Sequence, residues 1–202
     1  MKYTFTNENG RAFYLSPLKA DEIDRARLLC DECVGENLYT KEEIASSMNE
    51  RDSFFYLLKS ETGENAGYIY FYLTDEKSIA DYAKLDVNLF YSVYRQQHNK
   101  VGKIQSVGIK EQYRGDNLAT QMIKFVLEKF KSISIEAVYI VCWKPGGIMP
   151  LKKALLHSDF CFLTEAKKVW YDDIDLICPY CNGRCHCDAE VYYKLLNRGD
   201  EE

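Results

Sequence analysis

The chain has no apolar run long enough to cross a bilayer. Its longest, 68–73 and 138–143, fall far short of the roughly 20 residues a spanning helix needs. The first ten residues, MKYTFTNENG, hold no apolar segment of the kind an export signal requires. There is no surplus of basic residues. Lys and Arg number 26 against 31 Asp and Glu, a net charge of −5, which argues against nucleic acid as the main partner because phosphate backbones are bound by cationic surfaces. Internal repeats, low-complexity stretches and long linkers are also missing. The expectation is a soluble, cytoplasmic protein with no membrane and no nucleic-acid partner.

What is present is a chain of 202 residues, 47% apolar and 28% charged, as in ordinary globular proteins, and of a length that suits one domain over 1–202. Eight cysteines are many for a chain with no export signal, so a disulfide framework is not expected. Cys30, Cys33, Cys142 and Cys161 are scattered through apolar segments and read as core thiols. Cys178, Cys181, Cys185 and Cys187 fall within ten residues and read as a metal site.

Strands are predicted at 13–18, 53–59, 66–73, 101–110, 137–143, 160–171 and 189–196 from aromatic and β-branched runs bounded by turn residues. A helix capped by Asp21 is predicted over 21–33, and a second over 40–48, where Thr40 and Glu43 form a capping box. Residues 118–133 give the clearest helix, with Ala119, Met122, Val126, Phe130 and Ile133 at steps of three and four. A short helix is expected at 149–157. The 74–99 segment has few turn signals and is read as holding a helix near 85–96.

The most informative stretch is VGIKEQYRGDNLATQMIKFVLEKF, where a strand passes through a polar turn into the long helix. Such a turn presents backbone N–H groups at a helix N-terminus, where the macrodipole favours an anion. Arg114 adds a fixed charge suited to bidentate phosphate contact. Gly115 lets the chain approach a ligand closely, and Ala119 is small enough to do so on the first helical turn. A pyrophosphate fits this chemistry; an ordinary strand-to-helix turn with a solvated arginine is the other reading.

This segment resembles the coenzyme A motif of the GNAT-type acyl-CoA N-acyltransferase superfamily. The matching residues are Val107-Gly108-Ile109 at the strand end, then Arg114, Asn117 and Ala119 in the pattern Arg/Gln-x-x-Gly-x-Gly/Ala. The predicted element order agrees over roughly 10–196, with 101–143 the motif-specific part. The resemblance implies an α/β (α+β) fold: a mixed, mostly antiparallel central sheet of about seven strands flanked by helices. It implies transfer of an acetyl group from acetyl-CoA to a primary amine by direct attack. Val107 and Ile109 would bond the pantetheine amides. The N–H groups of Gly115, Asp116, Asn117, Leu118, Ala119 and Thr120 would hold the pyrophosphate, and the N–H of Val107 or Gly108 would stabilise the developing oxyanion. The sequence departs from the pattern twice. Asn117 stands where the central glycine is usual, and Asn tolerates a left-handed backbone. Leu155 stands where the family often has a tyrosine acting as acid to the departing thiolate.

By chemistry alone, His98, His157 and Asp172 are candidate bases, and Tyr139, Tyr171 and Cys142 candidate proton donors. No one of them is singled out by its surroundings in sequence.

The cysteine-rich stretch reads Cys178-x2-Cys181-x3-Cys185-x-Cys187, with Asn182-Gly183 after the first pair as in a zinc knuckle. Four thiolates would complete a closed structural zinc site, with His186 able to replace one of the last two. The loop at 176–188 precedes the last strand, and in the family layout it lies near the acceptor side of the cleft. Tyr82, Tyr91 and Tyr94 could form an aromatic wall there. Trp170, Tyr171, Asp172 and Asp173 could meet a cationic amine by ring face and carboxylate. The acceptor, a small molecule or a peptide, is left open, as is the oligomeric state. One rival reading is a catalytically inactive GNAT-like binding module that uses the zinc loop to hold a protein partner. Another is a metal-dependent thiol redox protein.

Overall fold

The computed structural model describes residues 3–7, 9–93 and 100–196. Eight strands form one sheet: β1 (Tyr3–Thr6), β2 (Ala12–Pro17), β3 (Ser53–Ser60), β4 (Asn65–Thr74), β5 (Val101–Ile109), β6 (Ala137–Lys144), β7 (Cys161–Ala166) and β8 (Asp188–Leu195). Their spatial order is β1-β2-β3-β4-β5-β6-β8-β7. The β5–β6 pair is parallel and every other pair of named strands antiparallel. The expected mixed, mostly antiparallel sheet is therefore present, one strand wider than predicted because β1 pairs with β2 ahead of the first predicted strand.

Among the described residues six α-helices cover the sheet: α1 (Ile23–Cys33), α2 (Lys41–Asn49), α3 (Glu76–Ala83), α4 (Val87–Tyr91), α5 (Leu118–Ser132) and α6 (Lys152–Leu156). On one face α5 buries Leu118, Met122, Val126 and Phe130 against Ile69, Phe71, Ile104 and Val138. Burying one such side chain contributes roughly 1.5–3 kcal/mol. The helix has neither glycine nor proline, and it ends in a Schellman turn. Ser134 takes a positive φ, its N–H donates to Lys131 O, and the Ile135 N–H donates to Phe130 O. On the other face α1 and α2 pack on β3 and β4 through Ala26, Leu29, Cys30, Ile44, Leu57 and Tyr68. Helices α3 and α4 pack beside them on β5, β6 and β8 through Ile79, Ala80, Ala83, Phe90, Val101 and Tyr139.

The Thr40 box closes as predicted, with the Glu43 N–H donating to Thr40 Oγ1 at 3.1 Å and the Thr40 N–H to Glu43 Oε2 at 2.7 Å. Asp21 is not a cap. It lies inside a 3-10 turn, Ala20–Glu22, and Glu22 accepts from the Lys19 N–H and pairs with Lys59 instead. In 74–93 two helices replace the one expected near 85–96. Asp75 accepts from the Ser78 N–H and Asp86 from the Asn88 N–H, so each carboxylate starts a helix, and Lys84 at φ 57° ends the first. Both caps are legible in hindsight. The strand predicted at 160–171 stops at Ala166, and Lys168 at φ 48° turns the chain away. The short helix predicted at 149–157 is Lys152–Leu156.

Candidate active site

Strands β5 and β6 are joined only where Gly102, Lys103 and Ile104 face Val138, Tyr139 and Ile140. Past that point they part. Residues 106–109 stay with β4, and Val141 onward stays with β8. Gln105 is the extra residue of a bulge at the fork, where the register with β4 shifts. The split opens a cleft of about 460 Å³. The edge of β5 facing it has backbone groups with no strand partner on β6.

The strand then enters the turn to α5. Asn117 stands at the start of α5 with φ 60° and ψ 11°, so the left-handed shape that a glycine would give is kept. Among the described residues no side chain caps this helix, which leaves its first-turn N–H groups without a side-chain partner, and Leu118, Ala119 and Thr120 of that turn line the cleft. Gly115, at φ 86°, has nothing within 4 Å of where a Cβ would stand. Val107, Ile109, Arg114, Gly115, Asn117, Leu118, Ala119 and Thr120 all line the cleft. The Arg114 guanidinium donates to the carbonyls of Ile109 (2.9 Å) and Cys33 (3.3 Å), tying the turn to the end of α1. Two predicted positions do not line the cleft. Gly108 is buried under Tyr68 and Cys33, where a Cβ would fall 2.2 Å from the Tyr68 ring. Asp116 turns aside to accept from Asn7 Nδ2 at 2.7 Å and Asn9 Nδ2 at 2.6 Å.

The far end of the cleft is built from distant segments. Val34, Leu38 and Tyr39 come from the α1–α2 loop, Tyr82 from α3, Gln105 and Ser106 from β5, and Trp170 and Leu176 from the β7–β8 connection. Tyr39 Oη and Ser106 Oγ share a hydrogen bond of 2.9 Å. Tyr82 Oη accepts from Trp170 Nε1 at 2.8 Å and Gln105 Nε2 at 3.5 Å. Burial raises the pKa of both phenols, which keeps them neutral. Two loops meet over this end: the Ile177 N–H donates to Glu36 O at 3.0 Å, and Asn37 Nδ2 to Asp175 O at 3.2 Å. Behind Tyr82 lies Lys103, 2% exposed, its Nζ 3.4 Å from the ring centroid of Tyr82 and 5.5 Å from that of Tyr72. Among the described residues no carboxylate pairs with it, and desolvation lowers its pKa to about 7. Tyr39, Ser106, Gln105 and Lys103 were not anticipated. Each is a common residue type with no local pattern, and only the topology brings them together.

The thiol cluster begins one residue after that roof. The Sγ atoms of Cys178, Cys181 and Cys187 all lie within 4.8 Å of one another. Cys185 is outside this mutual group but buried with Cys178 and Cys187 in the same cluster. The first two cysteines sit on a tight turn closed by paired backbone bonds between Cys178 and Gly183, with Asn182 and Gly183 at positive φ. The His186 N–H donates to Cys181 Sγ at 3.4 Å and lowers its pKa, as suits a thiolate ligand. His186 is not a member of the group; its exposed ring meets Tyr171 edge-on at 5.1 Å. Cys178 and Cys185 also line the cleft, so the cluster forms part of its wall.

The remaining candidates separate by position. His157 lines the cleft at the end of α6, and Cys142 lines it from β6 with its thiol pKa raised by burial. Tyr139 is wholly buried on the α4 side, with its hydroxyl donating to Phe90 O at 3.4 Å, so it does not reach the cleft. Tyr171 does not line the cleft, and its ring packs under Arg184 at 4.0 Å. Asp172 is exposed and paired with Lys84 at 2.6 Å, and Asp173 Oδ1 accepts from the Leu176 N–H. Neither acid faces the cleft, which corrects the expectation that they meet an amine. Leu155 is sealed in the core. Of the scattered cysteines, Cys30 and Cys142 are buried as expected; Cys33 lines the cleft and Cys161 is exposed on β7. His98 and Tyr94 lie outside the described residues.

Known proteins share this architecture at low sequence identity. The ribosomal-protein-S5-alanine acetyltransferase of Vibrio fischeri aligns with a TM-score of 0.65 at 11% identity, covering 98% of each chain. NAA60 of Arabidopsis thaliana, solved in complex with acetyl-CoA, aligns with a TM-score of 0.62 at 15% identity, over 91% of this chain and 99% of that one. The ribosomal-protein-S18-alanine N-acetyltransferase of Escherichia coli gives 0.62 at 9% identity, over 94% and 97%. No curated protein sequence matches the chain. Residues 21–146, which run from α1 through the split strands and α5 to the end of β6, match the Acetyltransferase (GNAT) family, and the chain belongs to that family.

Proposed function

We propose that the protein transfers the acetyl group of acetyl-CoA to a primary amine, as one unit working in the cytoplasm. The observation that carries this reading is the continuity of the split between β5 and β6 with the uncapped N-terminus of α5. An unpaired strand edge suits the two amides of a pantetheine arm. The helix N-terminus one turn away suits a pyrophosphate. Arg114 and Lys153 add positive charge along the same wall.

Acetyl-CoA supplies an activated thioester. The chain's contribution is positional. Val107 and Ile109 hold the arm through their backbone groups, and the N–H of Val107 donates to the carbonyl oxygen as it gains charge. The amine attacks in its neutral form, its N–C bond forms as the C–S bond breaks, and the surplus proton passes to water. Leu155 offers no proton to the departing sulfur, so the thiolate leaves without help from that position.

Cys178, Cys181 and Cys187, with Cys185 as the fourth thiolate, fit a structural zinc ion. Such a site does no chemistry; it fixes the turn that carries Leu176 and Ile177 over the acceptor end.

Calorimetric titration with acetyl-CoA tests the core of this reading. Binding is expected, weakened about tenfold or more in Arg114→Ala. Folded protein that ignores millimolar acetyl-CoA would remove the transferase reading. The second reading is an inactive module that binds a protein through the thiol loop; Leu155 favours it, and turnover of any amine excludes it.

A further inference from the structure

We infer that the acceptor is a small primary amine carried on a single aromatic or aliphatic apolar body, with no second positive charge. The inference rests on the transferase reading and narrows it.

The lining of the acceptor end carries it. Tyr39, Tyr82, Trp170, Leu38 and Leu176 supply rings and aliphatic surface. Among the described residues that line the cleft, not one is Asp or Glu. A polyamine or an aminoglycoside keeps several ammonium groups, and each needs a carboxylate once it leaves water. Of the acids that follow Trp170, Asp172 is committed to Lys84 and Asp173 to the backbone of Leu176.

Lys103 points the same way. Its amino group lies directly behind the Tyr82 ring without a counter-charge among the described residues. Whenever it is protonated it repels a second cation in the pocket through a medium of low dielectric. A monoamine that enters neutral meets no such barrier, and the phenols of Tyr39 and Tyr82 with Ser106 offer it uncharged polar contacts.

The roof sets the size. The bonds from Ile177 to Glu36 and from Asn37 to Asp175 join the two loops across the acceptor end. Loops tied together there suit a compact molecule better than a long extended chain.

A matched amine series tests this at saturating acetyl-CoA. Phenethylamine and hexylamine would be compared with hexamethylenediamine, spermidine, kanamycin and an alanine-initiated peptide. Hexylamine and hexamethylenediamine differ by one charged end. The expected kcat/KM for the monoamines exceeds that for the diamine and spermidine by about 100-fold. Tyr82→Ala should lower kcat/KM for phenethylamine about tenfold, while Tyr82→Phe, which keeps the ring, should retain the preference for monoamines. Faster turnover of the diamine, spermidine, kanamycin or the peptide would overturn the inference. So would failure of every monoamine in a protein that binds acetyl-CoA. Loss of acetyl-CoA binding itself, read separately by calorimetry, would instead remove the transferase reading and this inference with it.

Discussion

The two ends of the cleft are made in different ways. The end we assign to the coenzyme is one continuous stretch, 101–133, built mainly from backbone: an unpaired strand edge, a left-handed Asn117 and the N–H groups of α5. The end we assign to the acceptor gathers side chains from four places, the 34–39 loop, α3, β5 and the segment 170–187. A site made of backbone tolerates much substitution, because most residues supply the same amide. A site made of convergent side chains changes with each of its parts. The contrast fits a fold shared at 9–15% identity with solved structures.

Metal removal should give the sharpest separation of the two ends. If zinc holds the knuckle, a strong chelator, or Cys178→Ser with Cys181→Ser, should destabilise the fold by on the order of 5 kcal/mol and lower the melting temperature by 10 °C or more, roughly. The amine KM should rise in step. Acetyl-CoA affinity, measured on protein still folded at low temperature, should change less than about twofold. An equal loss of acetyl-CoA affinity would mean that the ends are one cooperative site.

Lys103 gives the next largest effect. It lies on the coenzyme strand but faces the acceptor side. With a folded pKa near 7 against 10.5 in the unfolded chain, the unfolded state binds more protons between those values. Stability therefore rises with pH from about 7 toward 10, and the full penalty of the buried charge is felt below pH 7. Lys103→Met should stabilise the protein by on the order of 3 kcal/mol at pH 6 and much less at pH 10, as denaturant melts at the two values would report. A gain that does not vary with pH would show that Lys103 keeps its ordinary pKa, and so its charge, in the fold.

The smallest effect tests the backbone end. Asn117→Gly should be close to neutral for both stability and acetyl-CoA affinity. Asn117→Ala, forced to φ near 60°, should cost about 1 kcal/mol and weaken acetyl-CoA severalfold. Equal behaviour of the two variants in calorimetry would mean that the side chain, not the loop shape, matters there.

What could be read in the sequence follows the same division. Residues 107–120 were legible because a strand, a turn and a helix N-terminus are consecutive, and their chemistry depends on order. The thiol cluster was legible because its cysteines are close in sequence, although only the fold shows that Cys178 and Cys185 also face the cleft. The acceptor pocket was not. Tyr39 and Ser106 are 67 positions apart, and Tyr82 and Trp170 are 88 apart. No periodicity marks either pair. Asp172 and Asp173 misled because their carboxylates look available in sequence, whereas the Lys84 side chain and the Leu176 N–H had already engaged them. In 74–93 the two helix starts at Asp75 and Asp86 were signalled by caps rather than by hydrophobic spacing.

The bonds from Asn7 and Asn9 to Asp116 make the leading hairpin a remote fitting of the coenzyme turn. Asn7 is itself fixed, its Oδ1 accepting from the Arg11 N–H at 2.7 Å. Freed of these two amides, an acidic side chain would swing beside the very amides expected to receive a diphosphate. Trimming the chain through Asn9 would remove both amides and so alter this turn from more than a hundred residues away in sequence. A loss of acetyl-CoA affinity in a protein so trimmed should be traced to Asp116 before the cleft is blamed.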